Sequence, residues 1–328
     1  MLINLHTHLE GRVRPTTATE LAADLGLAQP ASGWQQALEL PGPSDLTVYL
    51  EKVASTYPFF GHPDALVRIS REAVQDAAAD GEAYLELRFG PATHVRAGFG
   101  LDAVIKAVCE GVAQGVRDTG TAAGVVVAAL RHHDSATNLE VARAAGRYAG
   151  QGVVGFDLAG DELRYPALEP YAEAFAIARA AGLGLTCHAA EAAPADAALE
   201  AVTRFGVSRI GHGAHIVDDP EVLRRIAGAG VAVEVCPSSN WFTGAVAAIS
   251  DHPAPLFRDA GVPVVLGDDN PRQTGSLLSA EERVLRDQLG FDEPAVAALA
   301  RHSIEFGFMA DFVRRDLFTA LAQAPTGG

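Results

Sequence analysis

Residues 171–191 read YAEAFAIARAAGLGLTCHAAE and contain, in order, a helix pattern, a strand pattern and a polar cluster. Apolar side chains recur at helical spacing over Tyr171–Ala181, and a glycine follows. The run Gly182–Cys187 is largely apolar, which is typical of a strand buried on both faces of a parallel sheet. His188 and Glu191 follow directly where that strand ends. This unit predicts an α/β fold with polar residues at the carboxyl ends of its strands.

The same alternation recurs along the whole chain. Eight short apolar runs are separated mostly by alanine-rich helical stretches, and they are Leu2–His6, Ala83–Phe89, Gly124–Leu130, Val153–Leu158, Gly182–Cys187, Arg209–Gly211, Val231–Val235 and Val262–Leu266. Strand alternating with helix eight times predicts a (β/α)8 TIM barrel. The interval between the first two runs is far longer than one crossover helix needs. Residues 15–81 are therefore expected to hold extra helices over the barrel mouth.

The composition limits the classes of partner. A formal charge of −16 argues against nucleic acid or an anionic membrane surface, because such partners need clustered Lys and Arg. No apolar run approaches the length of a membrane span, and the N-terminus does not resemble a signal peptide. The three cysteines form no CxxC pair and no even disulfide framework, which favours a reducing compartment. We expect one cytoplasmic domain over residues 1–328, frayed at 324–328, and the sequence indicates no oligomeric state.

Polar residues at the predicted strand ends indicate a metal site, since barrel enzymes carry their chemistry there. His6 and His8 are two residues apart along a strand, so both imidazoles point to the same side. Alone, this pair fits a structural or surface role as well as a metal. With His188 and Asp268 at other strand ends, the sequence predicts three imidazoles and one carboxylate around a catalytic ion, with a position left for water.

The predicted site holds one metal ion. Many metal-dependent hydrolases on this barrel bridge two ions with a carboxylated lysine at the end of the fourth strand. Here the fourth run continues through Asp157–Glu162 without a lysine. The two lysines of the chain, Lys52 and Lys106, both fall in helical stretches. We therefore expect a mononuclear site.

Three further residues are candidates for acid–base chemistry. Glu191 follows His188 by three residues and could move a proton between water and a substrate ring nitrogen. A glutamate that opens a helix is the plainer alternative. His212 lies between two glycines, which lets its ring approach an ion, although a packed histidine would show the same pattern. Asp269 directly follows Asp268, and two adjacent carboxylates are costly unless a cation lies near.

Six sequence blocks in this order resemble the adenosine deaminase family of the amidohydrolase superfamily, over essentially the whole chain. The blocks are HTHLEG at 6–11, DLAGDE at 157–162, HAAE at 188–191, RIGHG at 209–213, CPSSN at 236–240 with TGA at 243–245, and DD at 268–269. Any one block is weak, whereas six in order are specific. The resemblance implies a hydrolase acting on the C–N bond of a cyclic amidine, which converts a 6-aminopurine nucleoside such as adenosine to inosine and ammonia.

The resemblance also implies a role for each candidate residue. The zinc ligands would be His6, His8, His188 and Asp268. Glu191 would protonate the purine ring nitrogen beside the amino-bearing carbon, while His212 and Asp269 would orient and deprotonate the attacking water. The substrate contacts would come from His8, Glu10, the backbone of Gly160, and Asp269 beside the imidazole part of the base.

The sequence departs from the family pattern at places that bear on the substrate. Members acting on adenosine commonly have Asp at the position of Glu10, which meets the sugar 5′-hydroxyl, and relatives acting on free adenine have Glu. Gly267 replaces the usual Thr, and Asn270 reads as an insertion before Pro271. Adenosine is the expected substrate, and a 5′-modified nucleoside such as aminodeoxyfutalosine, or free adenine, is the alternative. A different metallohydrolase, or a non-catalytic binding relative, is disfavoured because all seven key side chains are present.

Overall fold

The computed structural model describes residues 1–323, so the predicted fraying of 324–328 lies outside the described residues. Eight parallel strands follow the eight predicted runs, and each begins and ends within two residues of its prediction. The strands are β1 Leu2–His8, β2 Glu82–Phe89, β3 Ala122–Leu130, β4 Val153–Ala159, β5 Gly184–Ala189, β6 Arg209–His212, β7 Ala232–Val235 and β8 Val264–Leu266.

The strands pair in chain order from β1 to β8. The chain that follows β8 pairs with β1 and brings the two ends of the sheet together. The amide of Asp269 donates to the carbonyl of His6 at 2.9 Å. The amide of His8 donates in return to the carbonyl of Asp269 at 2.7 Å. The carboxyl ends of all eight strands therefore meet at one edge. The predicted (β/α)8 barrel is confirmed.

Fifteen α-helices lie within residues 1–323, and the main apolar core fills the space between them and the barrel. They are α1 Pro15–Asp24, α2 Gly33–Leu38, α3 Leu46–Ala54, α4 Pro63–Ala79, α5 Leu101–Thr119, α6 Ser135–Arg147, α7 Ala172–Ala180, α8 Asp196–Phe205, α9 Pro220–Ala229, α10 Pro237–Phe242, α11 Ala254–Asp259, α12 Pro271–Thr274, α13 Leu278–Asp287, α14 Glu293–Phe306 and α15 Asp311–Gln323. Among these described helices, none is both long and apolar enough to cross a membrane.

The long interval between β1 and β2 contains α1 to α4 and a 3-10 turn at Tyr57–Phe60. Helix α4 packs on β2 and α5, as a crossover helix does. Helix α3 packs elsewhere: Tyr49 and Val53 join Leu40 and Phe242 in a small apolar cluster that is separate from the main core. This packing places one side of α3 along the cavity at the carboxyl edge of the barrel.

Candidate metal and catalytic site

Four histidines lie together at the carboxyl edge of the barrel. His6 and His8 belong to β1, His188 to β5 and His212 to the last position of β6. The ring centroid of His6 lies 5.5 Å from that of His8, 4.7 Å from that of His188 and 4.6 Å from that of His212. The Nε2 atoms of His8 and His188 are 3.3 Å apart. The structure thus brings all four predicted histidines together, with His6 in the middle.

Two buried carboxylates orient two of these rings. Glu234 Oε2 lies 2.7 Å from His6 Nδ1, and Asp157 Oδ2 lies 3.0 Å from His188 Nδ1. A carboxylate at Nδ1 accepts the ring proton, so in the neutral ring the lone pair is on Nε2. His6 Nε2 is buried and has no hydrogen-bond partner among the described residues. Such an unpaired lone pair, facing other imidazoles, is what a metal ligand requires.

Arg88 connects the two carboxylates that hold the histidines. Its Nη1 donates to Asp157 at 2.9 Å, and its Nη2 donates to Glu234 at 2.8 Å and to the carbonyl of Leu5 at 2.6 Å. Arg88 is completely buried on β2. Because breaking a buried ion pair leaves an uncompensated charge, this guanidinium holds both carboxylates in fixed positions.

The adjacent aspartates Asp268 and Asp269 face different neighbours. Asp269 Oδ1 lies 3.6 Å from His6 Nε2 and 3.4 Å from His8 Nε2. Asp268 instead accepts a 2.6 Å hydrogen bond from Arg12. The structure therefore does not bring the predicted ligand Asp268 to the histidines, and it brings Asp269 there. Successive side chains along a strand point to opposite faces, and only one of two neighbours can enter the barrel.

We call His6, His8, His188, His212 and Asp269 the metal cluster. Its potential ligand atoms form two overlapping sets, and within each set the atoms lie within 4.8 Å of one another. One set belongs to His6, His188 and His212, and the other belongs to His6, His8 and Asp269. The cluster connects to three more buried carboxylates and two guanidiniums, which are Asp157, Glu86, Glu234, Arg88 and Arg209. Four carboxylates against two guanidiniums leave two negative charges uncompensated. Because buried charge must be balanced, a divalent cation fits this donor set.

Three donors from three parts of the chain hold Asp269. The Tyr49 hydroxyl, on α3, and the Ser239 hydroxyl, on α10, donate to Oδ2 at 2.9 and 2.5 Å. Asn270 Nδ2 donates to Oδ1 at 2.7 Å. Burial alone would raise the pKa of Asp269, but the contact with His6 and the nearby charge of the other imidazoles hold it well below its usual range. The carboxylate is therefore ionised and oriented.

Glu191 lies in the loop after β5, and Glu162 fixes that loop. Glu162 Oε2 accepts hydrogen bonds from three consecutive backbone amides that begin at Glu191, over 2.9–3.1 Å. Burial, with the negative charge of Asp269 nearby, raises the pKa of Glu191 to about 8. Its carboxyl group therefore keeps a proton near neutral pH. Glu191 Oε2 lies 3.7 Å from His212 Nε2, so both predicted acid–base groups face the same space.

Backbone strain is concentrated at this site. Within residues 1–323, the non-glycine residues with positive φ are Ala190, His212 and Asp269, at 54°, 63° and 55°. Ala190 directly follows β5, His212 ends β6, and Asp269 lies three residues after the end of β8, all at the carboxyl edge. Such conformations persist only where the surrounding structure imposes them, and they cluster at functional sites. Gly267 removes a further obstacle, since a Cβ there would lie 2.4 Å from the Cβ of His6.

A cavity of about 300 Å³ opens onto the metal cluster, a volume at the lower end of the range for small-molecule sites. Glu191, Gly160, Asn270 and Glu10 line it. Glu10 Oε1 lies 2.9 Å from His94 Nε2, while Oε2 is buried without a partner among the described residues. The predicted substrate-binding residues thus share one cavity with the predicted catalytic groups.

A family model described as adenosine deaminase matches residues 2–324. The chain belongs to the adenosine deaminase family. A relative named adenosine deaminase from Shewanella loihica is 32% identical over 98% of this chain and 98% of its own length. Another of that name from Mycolicibacterium vanbaalenii is 36% identical over 93% of this chain and 90% of its own length. The predicted family membership is confirmed.

Solved structures of relatives share the adenosine deaminase barrel. An adenine deaminase from Arthrobacter aurescens is 26% identical, with a TM-score of 0.89 and coverage of 98% of both chains. An amidohydrolase from Burkholderia ambifaria, solved with bound zinc, is 25% identical, with a TM-score of 0.89 over 98% of this chain and 89% of that chain. These neighbours share the barrel fold with this chain over nearly its whole length.

The sequence after β8 runs Gly267, Asp268, Asp269, Asn270 and Pro271. The structure places Asp269, and not the predicted ligand Asp268, beside the histidines. Asn270 follows Asp269 and directly precedes Pro271. Residue type alone does not distinguish Asp268 from Asp269, and their neighbours in the structure do.

Three residues that the structure places at the site, Arg88, Glu234 and Tyr49, were not predicted as site residues. Glu234 lies inside β7 and Arg88 inside β2, where the sequence reads as ordinary buried strand. Tyr49 lies in the insertion, far from any strand end. Alternation along each strand could have shown that Glu234 and Arg88 face the barrel interior, where a charged side chain needs a partner.

Proposed function

We propose that this deaminase hydrolyses the 6-amino group of adenosine, giving inosine and ammonia, with one bound zinc ion. Membership of the adenosine deaminase family supports the reaction class. The observation that carries the proposal is a single cavity in which the metal cluster, the protonated Glu191 and the unpaired Glu10 oxygen face one another. Such a cavity presents a nucleophile site, a proton donor and a polar anchor to one small molecule.

The proposed zinc ligands are His6, His8, His188 and Asp269, with Asp269 in place of Asp268. The free Nε2 of His6 and the two uncompensated negative charges around it support a divalent ion. The zinc bound by the Burkholderia ambifaria relative supports the choice of metal. A single ion is proposed because residues 157–162, after β4, include no lysine that could bridge two. When bound, zinc would lower the pKa of a water molecule toward about 7.

Residues around the cavity supply the rest of the chemistry. Glu191 would donate its proton to the purine ring nitrogen beside the amino-bearing carbon. His212 would orient the attacking water. The backbone amide of Gly160 would donate to another ring nitrogen, at a φ of 111° that L side chains rarely adopt. Water would add to the amino-bearing carbon while one of its protons passes to the Asp269 carboxylate and then to the amino group, which leaves as ammonia. The other water proton would return to Glu191 as the carbonyl group forms.

The base and the sugar would each meet a distinct polar group. Asn270 lines the cavity beside Asp269, so the contact with the imidazole part of the base passes to its side-chain amide. Glu10 offers its unpaired Oε2 as an acceptor for a sugar hydroxyl. A buried acceptor without a partner is costly, so the substrate should supply the missing donor.

Free adenine is the second candidate substrate, and a 5′-modified nucleoside is the third. Glu10 and the adenine deaminase from Arthrobacter aurescens favour adenine. A panel of adenosine, 2′-deoxyadenosine, adenine, aminodeoxyfutalosine and methylthioadenosine, followed by ultraviolet absorbance, separates them. We expect the highest kcat/KM for adenosine. Preference for adenine would replace the proposed substrate, and no turnover of any compound would contradict the proposed function.

The proposed setting is the cytoplasm, with a small molecule as the partner. Cys109, Cys187 and Cys236 are all buried and unbonded in the described part of the chain, which suits a reducing compartment. The net charge of −16 disfavours binding to the phosphates of nucleic acid.

A further inference from the structure

A relay of hydrogen bonds reaches His212 from a backbone amide, through two side chains that do not line the cavity. The amide of Ala254 donates to His252 Nδ1 at 3.1 Å. His252 Nε2 lies 3.0 Å from Asn240 Oδ1, and Asn240 Nδ2 lies 3.1 Å from His212 Nδ1. His252 is 3% exposed, Asn240 is 0% exposed and His212 is 1% exposed. Water therefore does not compete for these bonds.

The first donor fixes the direction of every later bond. A backbone N–H can only donate, so His252 Nδ1 is an acceptor. Burial lowers the pKa of His252 to about 3, so its ring is neutral and its single proton is on Nε2. That proton can go only to Asn240 Oδ1, since a reversed amide would set two donors against each other. The amide nitrogen of Asn240 is then left facing His212.

The end of the relay decides where His212 keeps its proton. Because Asn240 Nδ2 donates to His212 Nδ1, the neutral ring has its proton on Nε2. Nε2 is the atom that faces the cavity, 3.7 Å from Glu191 Oε2. His212 adopts this position with a positive φ of 63°. A proton on His212 Nδ1 would instead point at the amide protons of Asn240, so that two buried donors would face each other without an acceptor.

We propose that His252 and Asn240 are positioning residues that hold His212 as the Nε2–H tautomer, so that His212 donates a hydrogen bond to the attacking water instead of accepting its proton. The hydrogen bond to water rests on the proposed function, whereas the tautomer of His212 does not. The proposal changes the role that the family resemblance implies for His212. A ring that already bears a proton on Nε2 orients the water oxygen and cannot deprotonate it.

Nitrogen-15 NMR of metal-free protein with labelled histidine tests the tautomer directly, because the shifts distinguish protonated from unprotonated ring nitrogens. His212→Gln identifies the His212 signals by their loss. We expect the wild-type proton on Nε2, and we expect Asn240→Asp to place a proton on Nδ1, since a carboxylate only accepts. A wild-type proton on Nδ1, or an unchanged His212 ring in Asn240→Asp, would overturn the proposal. Neither result depends on deaminase activity.

Kinetics of His252→Leu and His252→Gln test the consequence in the zinc-loaded enzyme. Leucine removes the donor to Asn240, and we expect kcat to fall about tenfold with KM within about twofold. Glutamine can still donate from its side-chain amide, so we expect most of kcat to return. Equal losses in both variants would show a packing role only. If His252→Leu does not fold, Asn240→Asp serves instead, with the same fall in kcat expected and unchanged kcat contradicting the proposal.

The two proposals fail in different ways. If the wild-type protein deaminates no purine but shows the Nε2–H tautomer, the proposed function is wrong and the relay stands. If the protein deaminates adenosine but His212 has its proton on Nδ1, the relay is wrong and the proposed function stands.

Discussion

Two buried clusters lie on opposite sides of the backbone at Asp268 and Asp269, and only one of them contains its own cation. The arginine cluster, Arg12, Glu82 and Asp268, has a guanidinium 2.6 Å from Asp268. Burial still raises the pKa of Asp268, and it raises that of Glu82 to about 8. In the metal cluster, by contrast, imidazoles surround Asp269 and its pKa lies well below the usual range.

The difference shows what makes a buried carboxylate a metal ligand. Arg12 satisfies Asp268 within the protein, so no further cation is needed there. The metal cluster has imidazole lone pairs and one carboxylate but no guanidinium in direct contact with Asp269. The positive charge that balances this carboxylate must therefore come from outside the protein. The two aspartates therefore differ in their partners, because Arg12 contacts Asp268 whereas His6 and His8 lie near Asp269. The pair of adjacent aspartates in the sequence does not show this difference. Four predictions test this comparison.

The largest effect is expected for Asp269→Ala. Loss of the carboxylate should abolish zinc binding and lower kcat/KM for adenosine at least about 1000-fold, because several kcal/mol of charge stabilisation are lost. Metal analysis and the ultraviolet assay measure both effects. Asp268→Asn is the matched control and should retain one zinc per chain. The reverse outcome, with zinc lost from Asp268→Asn and kept by Asp269→Ala, would invert the comparison.

Replacement of Glu191 should lower the rate of deamination without loss of bound zinc. In Glu191→Gln we expect kcat/KM to fall about 100- to 10 000-fold, since the proton donor is lost, while zinc content stays at one per chain. The same assay and metal analysis check this expectation. A loss of less than tenfold would show that another group protonates the purine.

Arg88 and Arg12 offer a pair of matched substitutions, one for each cluster. Arg88→Lys breaks the double contact with Asp157 and Glu234, so we expect zinc affinity to fall about 10- to 100-fold in chelator competition. Arg12→Lys should leave zinc affinity within about threefold, since its cluster contains no metal ligand. Similar losses in both variants would mean that general destabilisation, not ligand orientation, is being measured.

The smallest effect belongs to the stability of the arginine cluster. Asp268→Asn removes the negative charge that pairs with Arg12. Glu82 lies 3.7 Å from the same guanidinium and can replace part of the lost contact. We expect the free energy of unfolding in urea to fall by about 1–3 kcal/mol. A fall above about 5 kcal/mol would show that Glu82 does not compensate.

Most of the fold was accessible from the sequence, because strand and helix patterns are local. The runs that predicted β1 to β8 depend on composition over a few residues, and the barrel follows from their alternation. His6, His8, His188 and His212 were accessible for the same reason, since each lies where an apolar run ends.

The choice between Asp268 and Asp269 required knowledge of which side of the barrel wall each residue faces after the end of β8. Val264 and Leu266 pack in the core between barrel and helices, whereas Val265 belongs to a separate cluster. Continued alternation places Asp268 on the helix side and Asp269 on the inner side. This alternation can be read from the sequence, but it distinguishes Asp268 from Asp269 only when the residues of β8 that face the barrel interior are known. The contacts of Tyr49 and Arg88 depend on chain segments that are distant in sequence, and no local pattern contains them.

Titration of zinc into metal-free protein, with adenosine deamination followed by absorbance, tests whether one zinc ion in the metal cluster supports the reaction. We expect negligible activity without metal, a linear rise in activity on addition of zinc, and a plateau at one zinc per chain. Full activity in the metal-free protein, or a plateau reached only at two zinc ions per chain, would contradict it.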